Sequence, residues 1–325
     1  MSVRFPAPLF SGLLSADIAA VDALVHAQLH SDAPLVRSVG EHVMQAGGKR
    51  IRPMLLLLVA GALGYHGTQH HTLAAVIELI HTASLLHDDV VDESPLRRGL
   101  ESANMRFGAA AAVLVGDFMH TRAFQLLLEV GDVSVMQVLA EATNTIAEGE
   151  VLQLMRVGDV EMSEEAYLDI AYAKTAKLFE VASALGALLC RASPDIVAKA
   201  KAYGKHFGIA FQIADDMLDY SGEEHTLGKA AGSDIREGKV TLPLIHLMRY
   251  GTFDQKELVR RYFAEGSVQD ADRILHAVRH SGVLDQTYRY LLEEMARART
   301  ALDGLPTGSH ADCLRQLCDF VAARQ

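Results

Sequence analysis

Two short aspartate runs carry the chemistry in this chain: "HDDVVD", with Asp88, Asp89 and Asp92, and "IADDMLD", with Asp215, Asp216 and Asp219. Both have the spacing i, i+1, i+4, and both interrupt segments patterned as apolar helix. At 100° per residue those positions fall within about a quarter-turn of helix surface, so each run aims its carboxylates to one side. Two such helices facing across a cavity gather six negative charges. A packed protein holds such a group only if protons or cations neutralise it. Oxygen donors without histidine or cysteine favour a hard divalent ion, Mg²⁺ foremost, which keeps waters and bridges to phosphate oxygens.

Basic residues stand where an anion needs them. "GGKRIRP" (47–53) sets Lys49, Arg50 and Arg52 after a glycine turn and ahead of a helix, a position suited to phosphate capture. Arg97 and Arg98 follow the first triplet, Lys174 and Thr175 lie on a later helical segment, and Lys229 and Lys239 bracket a glycine-rich stretch. Arg50 reads best as an ordinary surface cation; the others jointly describe a site for at least one diphosphate. His81 lies seven residues before Asp88, hence on the same helix face, and is assigned to the site. His87, beside the triplet, reads as structural.

The remainder of the chain must position these groups, and its periodicity is helical. "AAVIELIHTASLLHDDVV" is too densely apolar for a one-sided surface helix and predicts burial nearly all round. Residues 109–130, 136–155, 164–190, 200–220 and 242–249 behave similarly, with turn punctuation between them and no run of period-two β-branched residues. The glycine-rich, charged stretch 221–239 reads as a loop and a candidate lid, and 304–310 as a break before a last short helix. The expected fold is all-α: one domain over residues 1–325, a helical bundle around a central active-site cavity.

Composition narrows the classes. Half of the 325 residues are hydrophobic, and 41 acidic against 30 basic residues give a net charge of −11, which argues against a nucleic-acid partner. Three cysteines without metal or disulfide spacing fit reduced thiols in the cytoplasm. The start has no signal-peptide layout, and the most apolar stretch, 54–65, falls short of the roughly 18 residues that suggest a membrane span. Any membrane contact is expected to be peripheral.

In family order, "GGKRIRP", "LLHDDVVDESPLRRG" (85–99), "GDF" (116–118), "KTA" (174–176), "FQIADDMLD" (211–219), "GK" (228–229) and "EGKVTLPLI" (237–245) resemble the trans-type isoprenyl diphosphate synthases. The likeness is strongest to bacterial long-chain members, through "EGEVLQLM" (148–155) as well. It implies the isoprenoid-synthase fold, a homodimer, and condensation of an allylic diphosphate, farnesyl by preference, with several isopentenyl diphosphates. The implied product is octaprenyl diphosphate for a quinone side chain; a geranylgeranyl, heptaprenyl or nonaprenyl product is the alternative. Carried over, the resemblance gives the six aspartates Mg²⁺, three ions with substrate bound. It gives isopentenyl diphosphate to Lys49, Arg52, His81 and Arg98, and the allylic diphosphate to Arg97, Lys174, Lys229 and Lys239. Thr175 and Gln212 would line the reacting centre.

The growing product is apolar and should run down between helices. Ala83 and Ser84, five and four residues before Asp88, are small where a bulky aromatic in this family stops elongation early, so a long product is expected. Ile77, eleven residues back, lies about 17 Å deeper at 1.5 Å per residue. With Ile80, Met119, Ala123, Leu127 and Leu139 it is a candidate for tunnel wall or floor, each equally readable as core. A class I terpene cyclase, a helical metal-dependent phosphohydrolase and a silent partner subunit are the rivals. The second "DDMLD", the absence of Trp and both intact triplets count against them.

Overall fold

The computed structural model describes residues 12–221, 231–266 and 268–323. The first half runs α1 (Ser15–Gln28), α2 (Pro34–Gln45), α3 (Ile51–Ala62), α4 (Gln69–Val91), α5 (Ala103–Phe107), α6 (Ala109–Val130) and α7 (Val133–Met155). The second half runs α8 (Glu164–Ala171), α9 (Lys177–Leu189), α10 (Pro194–Ser221), α11 (Ser233–Arg236) and α12 (Leu242–Tyr250). It closes with α13 (Phe253–Glu265), α14 (Val268–His280), α15 (Val283–Ala301) and α16 (Ser309–Ala322). The all-α class is as expected.

The acidic triplets end the long α4 and stand near the end of the long α10, and both helices pack on α9. α3 fills in against α4 and α9, α6 lies along α4, and α15 along α10. Leu73, Val76, Ile77 and Leu79 on α4 are completely buried, as dense apolar patterning requires. Each such side chain contributes about 1.5–3 kcal/mol by leaving water. Repulsion between aspartates one turn apart costs only about 0.2–0.5 kcal/mol per pair. Packing therefore decides where the aspartates stand, and a ligand must meet them there.

Local structure departs from the expected helices in three places. First, Leu96–Arg97 (β1) and Leu100–Glu101 (β2) form an antiparallel hairpin with Leu96 opposite Glu101 and Arg97 opposite Leu100. Arg98 (φ 53°) and Gly99 (φ 79°) take the positive φ angles that a two-residue hairpin turn demands. Two-residue strands leave no alternating pattern to read. Second, 164–190 is two helices joined by a π-helical turn over Tyr172–Ala176. Third, the stretch expected as loop contains the helical turn α11. Lys229 lies outside the described residues. Among the described residues no helix is long and apolar enough to cross a membrane.

Candidate active site

The carboxylates of the first triplet each meet a cation. Asp89, 3% exposed, accepts from Arg97 Nε at 2.9 Å and from a second nitrogen of the same guanidinium, which the hairpin turns back onto α4. Burial pushes its pKa up, and Arg97 opposes that rise. Asp92, at the C-cap of α4, takes Lys239 Nζ at 2.7 Å; the same ammonium donates to Glu237 at 2.7 Å. Burial disfavours this ammonium, but Asp92 and Glu237 outweigh it and raise its pKa. Lys174 Nζ lies 3.5 Å from Asp88 and donates to Glu150 at 2.6 Å and Gln153 at 2.7 Å. Lysines from the second half of the chain thus reach the aspartates of the first.

Lys174 stands on the π-helical turn. That geometry adds a residue to the turn that carries Lys174 and Thr175, a device common at functional sites. Gly149 on α7 lets that turn approach: a Cβ there would lie 2.8 Å from the backbone nitrogen of Lys174. Thr175 Oγ1 donates to Gln212 Oε1 at 2.7 Å, and Gln212 Nε2 donates to Asp216 Oδ1 at 2.7 Å. Tyr167 Oη donates to the other oxygen of Asp216 at 2.5 Å.

The second triplet is therefore held differently. Asp216 is buried, and burial, with Asp234 nearby, drives its pKa well above the ordinary carboxylate value. Asp219, 1% exposed, accepts from the Ser233 hydroxyl at 2.7 Å and from the backbone N–H groups of Ser233 and Asp234 at 3.2 and 3.1 Å. It ties α10 to the start of α11. Asp215 is exposed. The quarter-turn that separates i from i+1 explains the contrast: with Asp215 outward, Asp216 turns into the core. Among the described residues, no three of the six aspartates bring ligand oxygens within 4.8 Å of one another. The donor set nevertheless fits Mg²⁺, which uses few protein carboxylates and completes its shell with waters and substrate phosphate.

Arg52 joins the two sides. Its guanidinium stacks over the Phe179 ring at 4.3 Å and contacts His81 Nε2 at 3.1 Å, and its buried Nε has no hydrogen-bond partner. Burial lowers its pKa to about 10; Glu78, Asp215 and Asp88 attract its charge and Arg98 opposes it. An orphaned N–H on a buried cation suits an incoming anion. Burial first, then Arg52 and Arg98, hold His81 well below its ordinary pKa, so its ring is neutral. Beside them the glycine pair of "GGKRIRP" has a geometric task. Gly47 adopts φ 70°, and a Cβ on Gly48 would lie 2.9 Å from an Arg98 nitrogen. The pair lets Arg98 fold over the loop. Lys49 Nζ lies 5.2 Å from the Phe320 ring centre.

Other expected positions fall outside this cluster. Arg50 is not a surface cation: it is largely buried, bonded to Asp22 on α1 at 2.9 Å and Glu78 on α4 at 2.5 Å. His87 turns to Val113 O and Asp117 on α6, both at 3.3 Å, as a structural residue would. Ile77, Ile80, Ala83, Met119, Ala123, Leu127 and Leu139 are all buried in the core, and Ser84 Oγ bonds His81 O at 2.8 Å. Sequence reasoning missed Glu150, Gln153 and Tyr167 as site residues. Glu150 and Gln153 share a helix face at i, i+3, which was a readable signal. Tyr167, 49 residues from its partner, left none.

Carboxylates that need cations, and cations that need an anion, converge here on one buried arginine, an arrangement complementary to a diphosphate. On an all-α scaffold that is the isoprenoid-synthase class. The family model for polyprenyl synthetase matches residues 33–279. Octaprenyl diphosphate synthase of Escherichia coli is 45% identical over 96% of this chain and 97% of its own. The all-trans-nonaprenyl-diphosphate synthase of Rhodobacter capsulatus is 43% identical over 95% of each chain. A polyprenyl synthase of Caulobacter crescentus, solved with calcium and isoprenyl diphosphate, superposes with a TM-score of 0.94, covering 98% of this chain and 97% of that one at 40% identity. The chain belongs to the polyprenyl synthetase family. It is a prenyltransferase of a metal-dependent family.

Proposed function

We propose that the chain is a long-chain trans-polyprenyl diphosphate synthase, one catalytic domain over residues 1–325. It extends farnesyl diphosphate with successive isopentenyl diphosphates to octaprenyl diphosphate, for a quinone side chain. The supporting observation is the reach of Lys174 and Lys239 to Asp88 and Asp92, with Arg52 drawn by both Asp88 and Asp215. The two lysines thereby stand at the first triplet, where the allylic diphosphate would lie, and Arg52 stands between the triplets, where the second diphosphate would lie. The 45% identity to an octaprenyl synthase and the small Ala83 and Ser84 support the product length.

Lys174, Lys239 and Arg97, with Lys229, hold the allylic diphosphate. Lys49, Arg52, Arg98 and neutral His81 hold the diphosphate of isopentenyl diphosphate. The aspartates 88, 89, 92, 215, 216 and 219 would hold Mg²⁺, which when bound stabilises charge on the leaving oxygens. The allylic C–O bond breaks, the isopentenyl alkene forms the new C–C bond, and a proton passes to the departed diphosphate. Thr175 and Gln212, locked to one another, border the reacting carbons. The two clamps bring alkene and cation together, which saves the entropy of their encounter.

The enzyme is proposed to be a cytoplasmic homodimer that releases product at a membrane surface. Exposed Leu114 and Leu128 on α6, and Val151, Leu154 and Met155 on α7, are apolar side chains that a partner copy would cover. Free Cys190, Cys313 and Cys318 fit a reducing compartment. The test is incubation with farnesyl diphosphate, isopentenyl diphosphate and Mg²⁺, then sizing of the prenyl alcohols. An eight-unit product supports the reading; phosphate release without chain growth contradicts it.

A further inference from the structure

A second metal-ligating cluster lies at the opposite end of α4 from the aspartates. Asp17 on α1 faces His70 and His71, both in the first turn of α4, and one donor atom from each lies within 4.8 Å of the others. Asp17 Oδ1 is 2.7 Å from His71 Nε2 and 3.6 Å from His70 Nε2. All three side chains are partly buried, at 15–30% exposure, so the cluster is shaped by packing and still open to solvent.

Adjacent residues on a helix normally point about 100° apart. Here the two imidazoles are folded together instead. Their ring centres stand 3.9 Å apart with planes 30° from parallel, and Tyr65 braces His70 edge-on at 5.2 Å. Two neighbouring rings thus deliver both Nε2 atoms to one carboxylate oxygen. Donors around a tetrahedral ion with bonds of about 2.0–2.1 Å stand ~3.3 Å apart. The 2.7 and 3.6 Å separations bracket that value; the stacked rings must swing apart for both in-plane lone pairs to meet at one ion between them.

We propose that Asp17, His70 and His71 form a divalent transition-metal site of the zinc class, with three protein ligands and one position open to water. Two imidazoles and a carboxylate are donors for Zn²⁺ or Co²⁺, whereas Mg²⁺ prefers oxygen alone. The site is thus chemically separate from the aspartate triplets. It is also remote in space: eighteen residues of helix, about 27 Å, separate His70 from Asp88. Its effect is mechanical. The ion would clip α1 to α4, which already pack together, and so brace the helix whose far end carries the first triplet.

The test uses the full chain stripped with chelator and returned to saturating Mg²⁺, so that the catalytic aspartates are occupied. Zn²⁺ is titrated by calorimetry, and the melting temperature is read with and without it. Wild type is expected to bind one Zn²⁺ and to melt higher with it. Asp17→Asn and His71→Ala are each expected to weaken that binding at least ~10-fold and to lose the melting shift, with Mg²⁺-dependent prenyl transfer unchanged. Equal Zn²⁺ binding by wild type and both variants overturns the proposal. If the variants do not fold, zinc-edge anomalous diffraction from wild-type crystals decides: a peak between the three side chains supports the site, and its absence there overturns it. These readouts are independent of product formation, so they stand apart from the proposed synthase activity.

Discussion

The two aspartate triplets share a spacing and differ in almost everything around it. The first is wired to cations: Asp88 to Lys174, Asp89 to Arg97, Asp92 to Lys239. In the second, among the described residues, Asp216 is tied to Tyr167 and Gln212 and Asp219 to Ser233 and the Asp234 backbone, while Asp215 is exposed and attracts the charge of Arg52. Helix spacing fixes the direction of a carboxylate; its neighbours fix its charge and its freedom. Each aspartate of the first triplet has a cation in reach, two of those cations shared with Glu150 and Glu237, and Asp216 in the second is pushed toward its neutral form.

The turns leading into the triplets differ as well. One turn before Asp88 stands Ser84, and one turn before Asp215 stands Phe211, which packs on Phe179 at 5.3 Å and Phe207 at 6.3 Å between ring centres. Arg52 lies over Phe179 in turn. The α10 side is thus floored by aromatic rings, and the α4 side by small residues. An apolar chain growing away from the diphosphates should leave along α4.

The sharpest way to break this comparison is to remove the charge it depends on. Chelation of divalent ions should abolish prenyl transfer, and Asp88→Asn should lower kcat by about 100-fold or more in an assay of labelled isopentenyl diphosphate incorporation. Next in size is Lys239→Met. A hydrogen bond to a charged group is worth about 1.5–3 kcal/mol, so kcat/KM for the allylic substrate should fall roughly 10- to 100-fold. Asp219→Asn should act on the fold as well as on the metal site, costing about 1–3 kcal/mol by denaturant titration because the α11 cap is weakened, and lowering kcat less than Asp88→Asn does. Equal catalytic losses for Asp88 and Asp219 would erase the distinction between the triplets. The smallest effect on rate is expected from Ala83→Phe, which should leave the first addition intact and shorten the product. An unchanged product length would place the exit elsewhere.

Much of this was legible in the residues. Dense apolar patterning marked α4 as buried, and the repeated i, i+1, i+4 spacing marked both triplets. Glycines 47 and 48 marked a turn ahead of a helix suited to phosphate capture, though their close approach to Arg98 did not show. Other features were silent because their cause lies in tertiary contacts. The β1–β2 hairpin is too short to alternate, and the π-helical turn at Lys174 depends on α7 approaching at Gly149. Arg50 looked like a surface cation because Asp22 and Glu78, its partners, are 28 residues away on either side.

The central claim is that both triplets and the lysines between them grip one allylic diphosphate. Calorimetry with farnesyl thiodiphosphate, a non-reacting analogue, tests it across a Mg²⁺ series in wild type, Asp88→Ala and Asp215→Ala. Tight Mg²⁺-dependent binding in wild type, weakened in both variants, is the predicted result. Binding by Asp215→Ala with wild-type affinity and Mg²⁺ dependence would contradict it.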